Sequence, residues 1–161
     1  MTHVSNIDDV QYYEEVPAHP ILRFALLLGI GVLAYVGLEV PRAPRIALIF
    51  VSAMIAFIYI NFMTLKIIID SRRLIVGFRL IRQNIRLSNI EYIETRRPPW
   101  YWYGGLGVRF GWDWSIGFLQ NFGEGVRVIP IHGRRFFFST NNPDAIVNIV
   151  NDLRQKQGTL Q

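Results

Sequence analysis

The sequence predicts a two-helix transmembrane hairpin followed by a small α+β domain, mostly antiparallel strands closed by one C-terminal helix. Segment 46–65 (IALIFVSAMIAFIYINFMTL) runs for twenty residues without a charge, and segment 21–40 carries only Arg23 and Glu39. From Thr64 the hydrophobic period changes to short β-branched runs separated by polar turns, until one amphipathic stretch closes the chain.

Charge divides the 161 residues into three regions. The first twenty residues hold Asp8, Asp9, Glu14 and Glu15 and no Lys or Arg, so 1–20 reads as an acidic N-terminal segment. An acidic start lacks the basic flank of a cleavable signal peptide. Residues 21–65 contain four charges, and 66–161 hold 14 Lys and Arg against 7 Asp and Glu. With no cysteine in the chain, disulfides, thiolate catalysis and cysteine-based metal sites are excluded.

A twenty-residue helix rises about 30 Å, the hydrocarbon thickness of a bilayer. A helix apolar on every side needs a large protein or a membrane around it, and the rest of this chain is too small to enclose two. Arg23, near the end of the first span, can snorkel to the headgroups. The link PRAPR (41–45) allows only a tight turn, and its prolines are expected to stop both helices. The spans 21–40 and 46–65 therefore form a hairpin with both termini on one side. Lys66, Arg72, Arg73, Arg79 and Arg82 follow the second span, against Arg42 and Arg45 in the link, which places that side in the cytoplasm of a plasma-membrane protein.

In the domain, TLKIIID and LIVGF flank the turn Ser71-Arg72-Arg73, a hairpin signal. Strands are expected near 83–87, 90–95, 107–110 and 115–118. The runs 125–131 and 134–139 flank His132-Gly133, where glycine supplies the positive φ of a tight turn. Pro130 marks its strand as an edge or as irregular at that point. Thr140-Asn141-Asn142, Pro143 and Asp144 form a helix start, and Ile146, Ile149, Val150 and Leu153 make one apolar stripe on a helix of about 143–156. Six to eight short strands with one such helix describe a small sandwich or partly open barrel.

The ordered set LKIIIDSRRLIVGF, LSNIEYIE, WYWYGGLGVRFGWDWSIGF, GVRV…GRRFFFST and the NPDAI helix resembles bacterial and archaeal membrane-anchored pleckstrin-homology-like (bacterial PH) domain proteins. The likeness covers 64–157 and the paired spans before it. It implies a PH-like bent barrel or sandwich of seven strands capped by the C-terminal helix. It implies little about activity, since most such proteins have none established.

No constellation for catalysis is visible. His3, His19 and His132 lack metal-ligand spacing, no serine lies in a nucleophile elbow, and the glycines at 104, 105 and 107 lack the lysine and helix of a phosphate loop. Asp113, between Trp112 and Trp114, is a carboxylate with a raised pKa, an exposed loop aspartate, or a partner for a nearby arginine. The chain is therefore expected to be non-enzymatic, with no cofactor and no metal. Its expected partners are the bilayer, anionic headgroups or another membrane protein, and not nucleic acid; the sequence leaves homo-oligomerisation open. An accessory or assembly subunit of a larger membrane complex is the alternative. Two features suggest the contact: arginine clusters, chiefly Arg72, Arg73, Arg96 and Arg97, and an aromatic stretch that holds all four tryptophans, Trp100, Trp102, Trp112 and Trp114. These rings either build the small core, lie on the membrane, or dock a protein.

Overall fold

The computed structural model describes residues 10–97, 102–103, 105–121 and 123–158. The expectations for Trp100, His3 and the first nine residues lie outside these. Two long apolar helices, two sheets and a C-terminal helix make up the described chain.

Strand β1 (Val10–Pro17) precedes helix α1 (Pro20–Glu39). Helix α2 (Arg42–Phe62) then leads into β2 (Thr64–Asp70), β3 (Arg73–Gly77) and β4 (Arg82–Arg86). These four strands form an antiparallel sheet in chain order, with α1 and α2 inserted between neighbours β1 and β2. The sheet thus does not begin after the hairpin, and the stretch 1–20 is not merely an acidic tail. Pro17 pairs with Thr64 and Glu15 with Lys66, while the Ala18 amide donates to the Met63 carbonyl at 2.8 Å. The two chain crossings into the helices are therefore laced together at their base.

Both helices are long and apolar enough to cross a membrane. No residue of α1 is buried. The turn between them is shorter than the sequence suggested, because α2 starts inside PRAPR. Pro44 sits in its first turn, where no amide partner is needed. The Arg45 guanidinium reaches back to the carbonyls of Leu38 and Val40, 3.4 and 3.0 Å away, and satisfies acceptors left open at the end of α1.

The second sheet runs in the order β5 (Ile90–Arg96), β8 (Gly125–Pro130), β9 (Phe136–Ser139), β7 (Ile116–Leu119), β6 (Gly107–Phe110). Eight strand positions agree with the sequence to within a few residues; β1 is additional, which makes nine strands among the described residues rather than seven. The sheets are not wholly antiparallel. After β8 pairs with β5, β9 returns between β8 and β7 and runs parallel to β7. Nor is β8 an edge strand. Pro130 is tolerated because it ends the strand, beyond the last β8–β9 pair at Val128 and Phe136, and opposite an irregularity in β5.

The core lies between the sheets. Alternation buries Leu65, Ile67 and Ile69 of β2, which meet Phe118, Val126, Val128, Phe136 and Phe138 of the second sheet. Helix α3 (Pro143–Gly158) adds Ile146 and Val150, with Ile149 and Leu153 packed beside them. Phe137 points to the opposite face, where Tyr103 stacks on it with ring centroids 5.7 Å apart, and Leu119 and Trp102 complete a second small cluster.

Candidate functional site

Contacts with the base of α2 define which end of the domain adjoins the hairpin. The Gln120 side-chain amide donates to the Phe62 carbonyl at 2.7 Å, and Phe62, Phe78 and Phe118 form a chain of rings. Register then carries this end across the second sheet: Leu119 pairs with Gly107, Gly125 with Ser139, and Arg96 with Gly125.

The residues singled out in the sequence do not form one surface. Arg72 and Arg73 lie in the β2–β3 turn, where Asp70 Oδ1 accepts both backbone amides at 2.8 and 2.6 Å and their side chains remain exposed. Seven residues of strand, about 20 Å at 3.3 Å per residue, separate that turn from the end of α2. Arg96 ends β5 on the hairpin side, and Arg97 follows it directly. Arg96 approaches Glu94 at 3.9 Å, a distance worth little at a solvated surface.

The three described tryptophans divide as well. Trp102 packs on the cluster of Tyr103, Leu119 and Phe137 and covers the outer face of the sheet. Trp112 and Trp114 are 82% and 78% exposed at the β6–β7 turn, the other end of that hairpin. Trp114 has φ of +60°, and its amide donates to the Gly111 carbonyl. Asp113 is held inward between them. Burial works to raise its pKa, but the Ser115 hydroxyl and amide and the Arg127 guanidinium, 3.2 Å from Oδ2, hold it below the usual carboxylate range. Of these readings Asp113 is the arginine-paired aspartate, and its pKa is not raised. Arg127 also reaches Glu94 at 3.8 Å, so the charges on this face are largely spent on one another.

Two features were not legible as sites in the sequence. The first is the four-residue loop Phe78-Arg79-Leu80-Ile81 between β3 and β4. The Phe78 amide donates to the Ile81 carbonyl at 2.8 Å, and the Arg79 amide to the Asn61 carbonyl in the last turn of α2 at 3.4 Å. A Cβ on Gly77 would stand 2.3 Å from the Ile81 carbonyl oxygen, so the tight path needs glycine. Phe78 is fully buried, yet Leu80 and Ile81 are 57% and 44% exposed, flanked by exposed Arg79 and Arg82. The pattern RLIR is the trace this leaves in the sequence.

The second is a groove of about 560 Å³ between β4 and the β8–β9 turn. Asn89 pins that turn: its side chain bonds the His132 carbonyl and amide at 2.9 and 3.1 Å. Gln83, Arg86, Ser88 and Arg134 line the groove without a carboxylate. Among the described residues there is no cluster of three metal-ligating side chains. Comparison with protein-family models, curated proteins and solved structures returned no match.

Proposed function

We propose that this protein is a non-enzymatic, membrane-anchored binding module. In this reading α1 and α2 cross the bilayer as a hairpin. The two-sheet domain stands on the cytoplasmic surface and contacts anionic lipid or a membrane-protein partner. A PH-like description suits its two sheets and C-terminal helix, although the parallel β7–β9 pair departs from a purely antiparallel barrel.

The observation that carries the proposal is the bare hairpin inserted between paired strands. None of the twenty residues of α1 is buried by the protein, an arrangement that suits a helix surrounded by hydrocarbon rather than water. Lacing at Ala18–Met63 and the β1–β2 ladder holds the domain at the helix base without a flexible linker. The excess of Lys and Arg after α2 over the two in the link supports the cytoplasmic orientation. At physiological salt charges are screened beyond about 8 Å, so arginines beside the hairpin feel a charged surface more than Arg72 and Arg73 do.

The reading as an accessory subunit of a larger complex draws on a different observation. Trp112 and Trp114 project from the end of the β6–β7 hairpin away from the helices, and exposed aromatic patches of this kind suit a protein partner.

The chain has no cysteine, so single-cysteine variants report cleanly. Alkaline carbonate should leave the protein in the membrane pellet. In intact cells an impermeant maleimide should label Arg42→Cys, and Arg134→Cys only after lysis. Carbonate extraction, or labelling of both positions from the same side, would overturn the proposal.

A further inference from the structure

We infer that the β3–β4 loop is a membrane wedge: Leu80 and Ile81 enter the bilayer interface beside α2 while Arg79 and Arg82 engage lipid phosphates. The inference rests on the anchored-hairpin reading above and adds a second point of contact to it. Three observations carry it. The loop is bonded to the span itself, since the Arg79 amide donates to the carbonyl of Asn61 one residue before α2 ends. Its aliphatic tips are thereby fixed at the depth of the last helical turn. Burial is divided within the loop, with Phe78 packed on Phe62 and Phe118 and the two neighbouring aliphatic side chains left outside.

The third observation is rigidity. The 78–81 backbone bond, the Arg82 Nε bond to the Phe78 carbonyl at 3.3 Å and the crowded Gly77 fix the loop before any lipid is met. A preformed tip loses little conformational entropy on insertion. Aliphatic tips flanked by cations match an interface whose outer layer is phosphate and whose inner layer is hydrocarbon.

Depth-dependent quenching of a fluorophore tests this on the full chain in vesicles of phosphatidylcholine with a minority of phosphatidylglycerol. Single cysteines at Leu80, at Ile49 in mid-helix and at Ile131 in the far turn carry the same nitrobenzoxadiazole probe; all three side chains are exposed. The expected result is quenching of position 80 by a spin label high on the acyl chain, of position 49 by a deeper one, and of position 131 by neither. Ile81→Cys provides the same reading should Leu80→Cys fail to fold. Replacing Arg79 and Arg82 by glutamine should remove the part of the signal at position 80 that depends on phosphatidylglycerol. Position 80 behaving like 131 while 49 is quenched would overturn the wedge and leave the hairpin standing. An unquenched position 49 would overturn both.

Discussion

Replacing Glu14 by alanine should unfasten the N-terminal strand from the helix that closes the fold. The Glu14 carboxylate is 8% exposed and accepts the Thr140 hydroxyl at 2.5 Å, the Asn141 amide at 2.8 Å and the Tyr12 hydroxyl at 2.9 Å. Hydrogen bonds to a charged acceptor are worth about 1.5–3 kcal/mol each, and an orphaned buried donor costs about 1–3 kcal/mol. Tyr12 can turn to water, and the Asn141 amide lies near the surface. The buried Thr140 hydroxyl loses its charged acceptor. The sum is about 3 kcal/mol, or roughly 9 °C at about 3 °C per kcal/mol for a chain of this size. Tryptophan fluorescence during thermal unfolding in mild detergent measures it. Glu15→Ala is the internal control: that side chain pairs with Lys66 at 2.8 Å but is exposed, so the loss should stay within about 1 kcal/mol. The double variant Glu14→Ala/Thr140→Val should lose less than the sum of its parts, because the two residues share one bond. Equal shifts for Glu14→Ala and Glu15→Ala would refute the reasoning, since burial would then not be what makes Glu14 matter.

Other predictions follow from packing and charge. Asp113 has a depressed pKa in the folded protein, so its stabilisation is complete above the unfolded value of about 3.9 and is lost as pH falls through the lower folded value. Asp113→Asn should accordingly be less stable than the wild type at neutral pH, with the gap closing below about pH 4 in a series of melting curves. Gly125→Ala would set a methyl group 2.3 Å from the Phe138 carbonyl oxygen and 2.5 Å from the Phe137 ring, at a cost of about 3 kcal/mol. Urea titration should show a lower midpoint with an unchanged slope, whereas Gly29→Ala, with nothing within 4 Å, should leave the midpoint in place.

The sequence made the hairpin, eight strands and the final helix legible because each leaves a periodic hydrophobic trace. Strand β1 leaves none. In VQYYEEVP only Glu14 and Val16 are buried, and one of those two inward positions is a carboxylate whose partners lie at the far end of the chain. Helix boundaries near PRAPR are ambiguous in the sequence because proline ends a preceding helix but is accepted in the first turn of the next. The site was less legible than the fold. Residue type marked the Arg- and Trp-rich stretches, but register alone separates Arg96 at the helix base from Trp112 and Trp114 at the opposite end of the sheet. The loop at Leu80 and Ile81 is not distinct in the sequence, because two aliphatic residues between arginines look like any short strand end. Only their exposure beside Asn61 distinguishes them.

The insertion of α1 and α2 between neighbouring strands also dictates an order of assembly. Pro17 and Thr64 must meet for the first sheet to form, yet the whole hairpin separates them along the chain. Closing a flexible loop on the order of 50 residues costs roughly 3 kcal/mol more than closing a two-residue turn. On the membrane-anchored reading proposed above, a bilayer would remove most of that penalty in advance, because two antiparallel spans joined by a short link would deliver both strand ends to the same spot. The lipid phase would then act as a template for a water-soluble sheet, with β1 docking after insertion. A chain left uninserted would carry an unpaired edge on β2 and two exposed apolar helices together. If the hairpin is inserted as proposed, quality control of this protein would be tied to its delivery to the membrane.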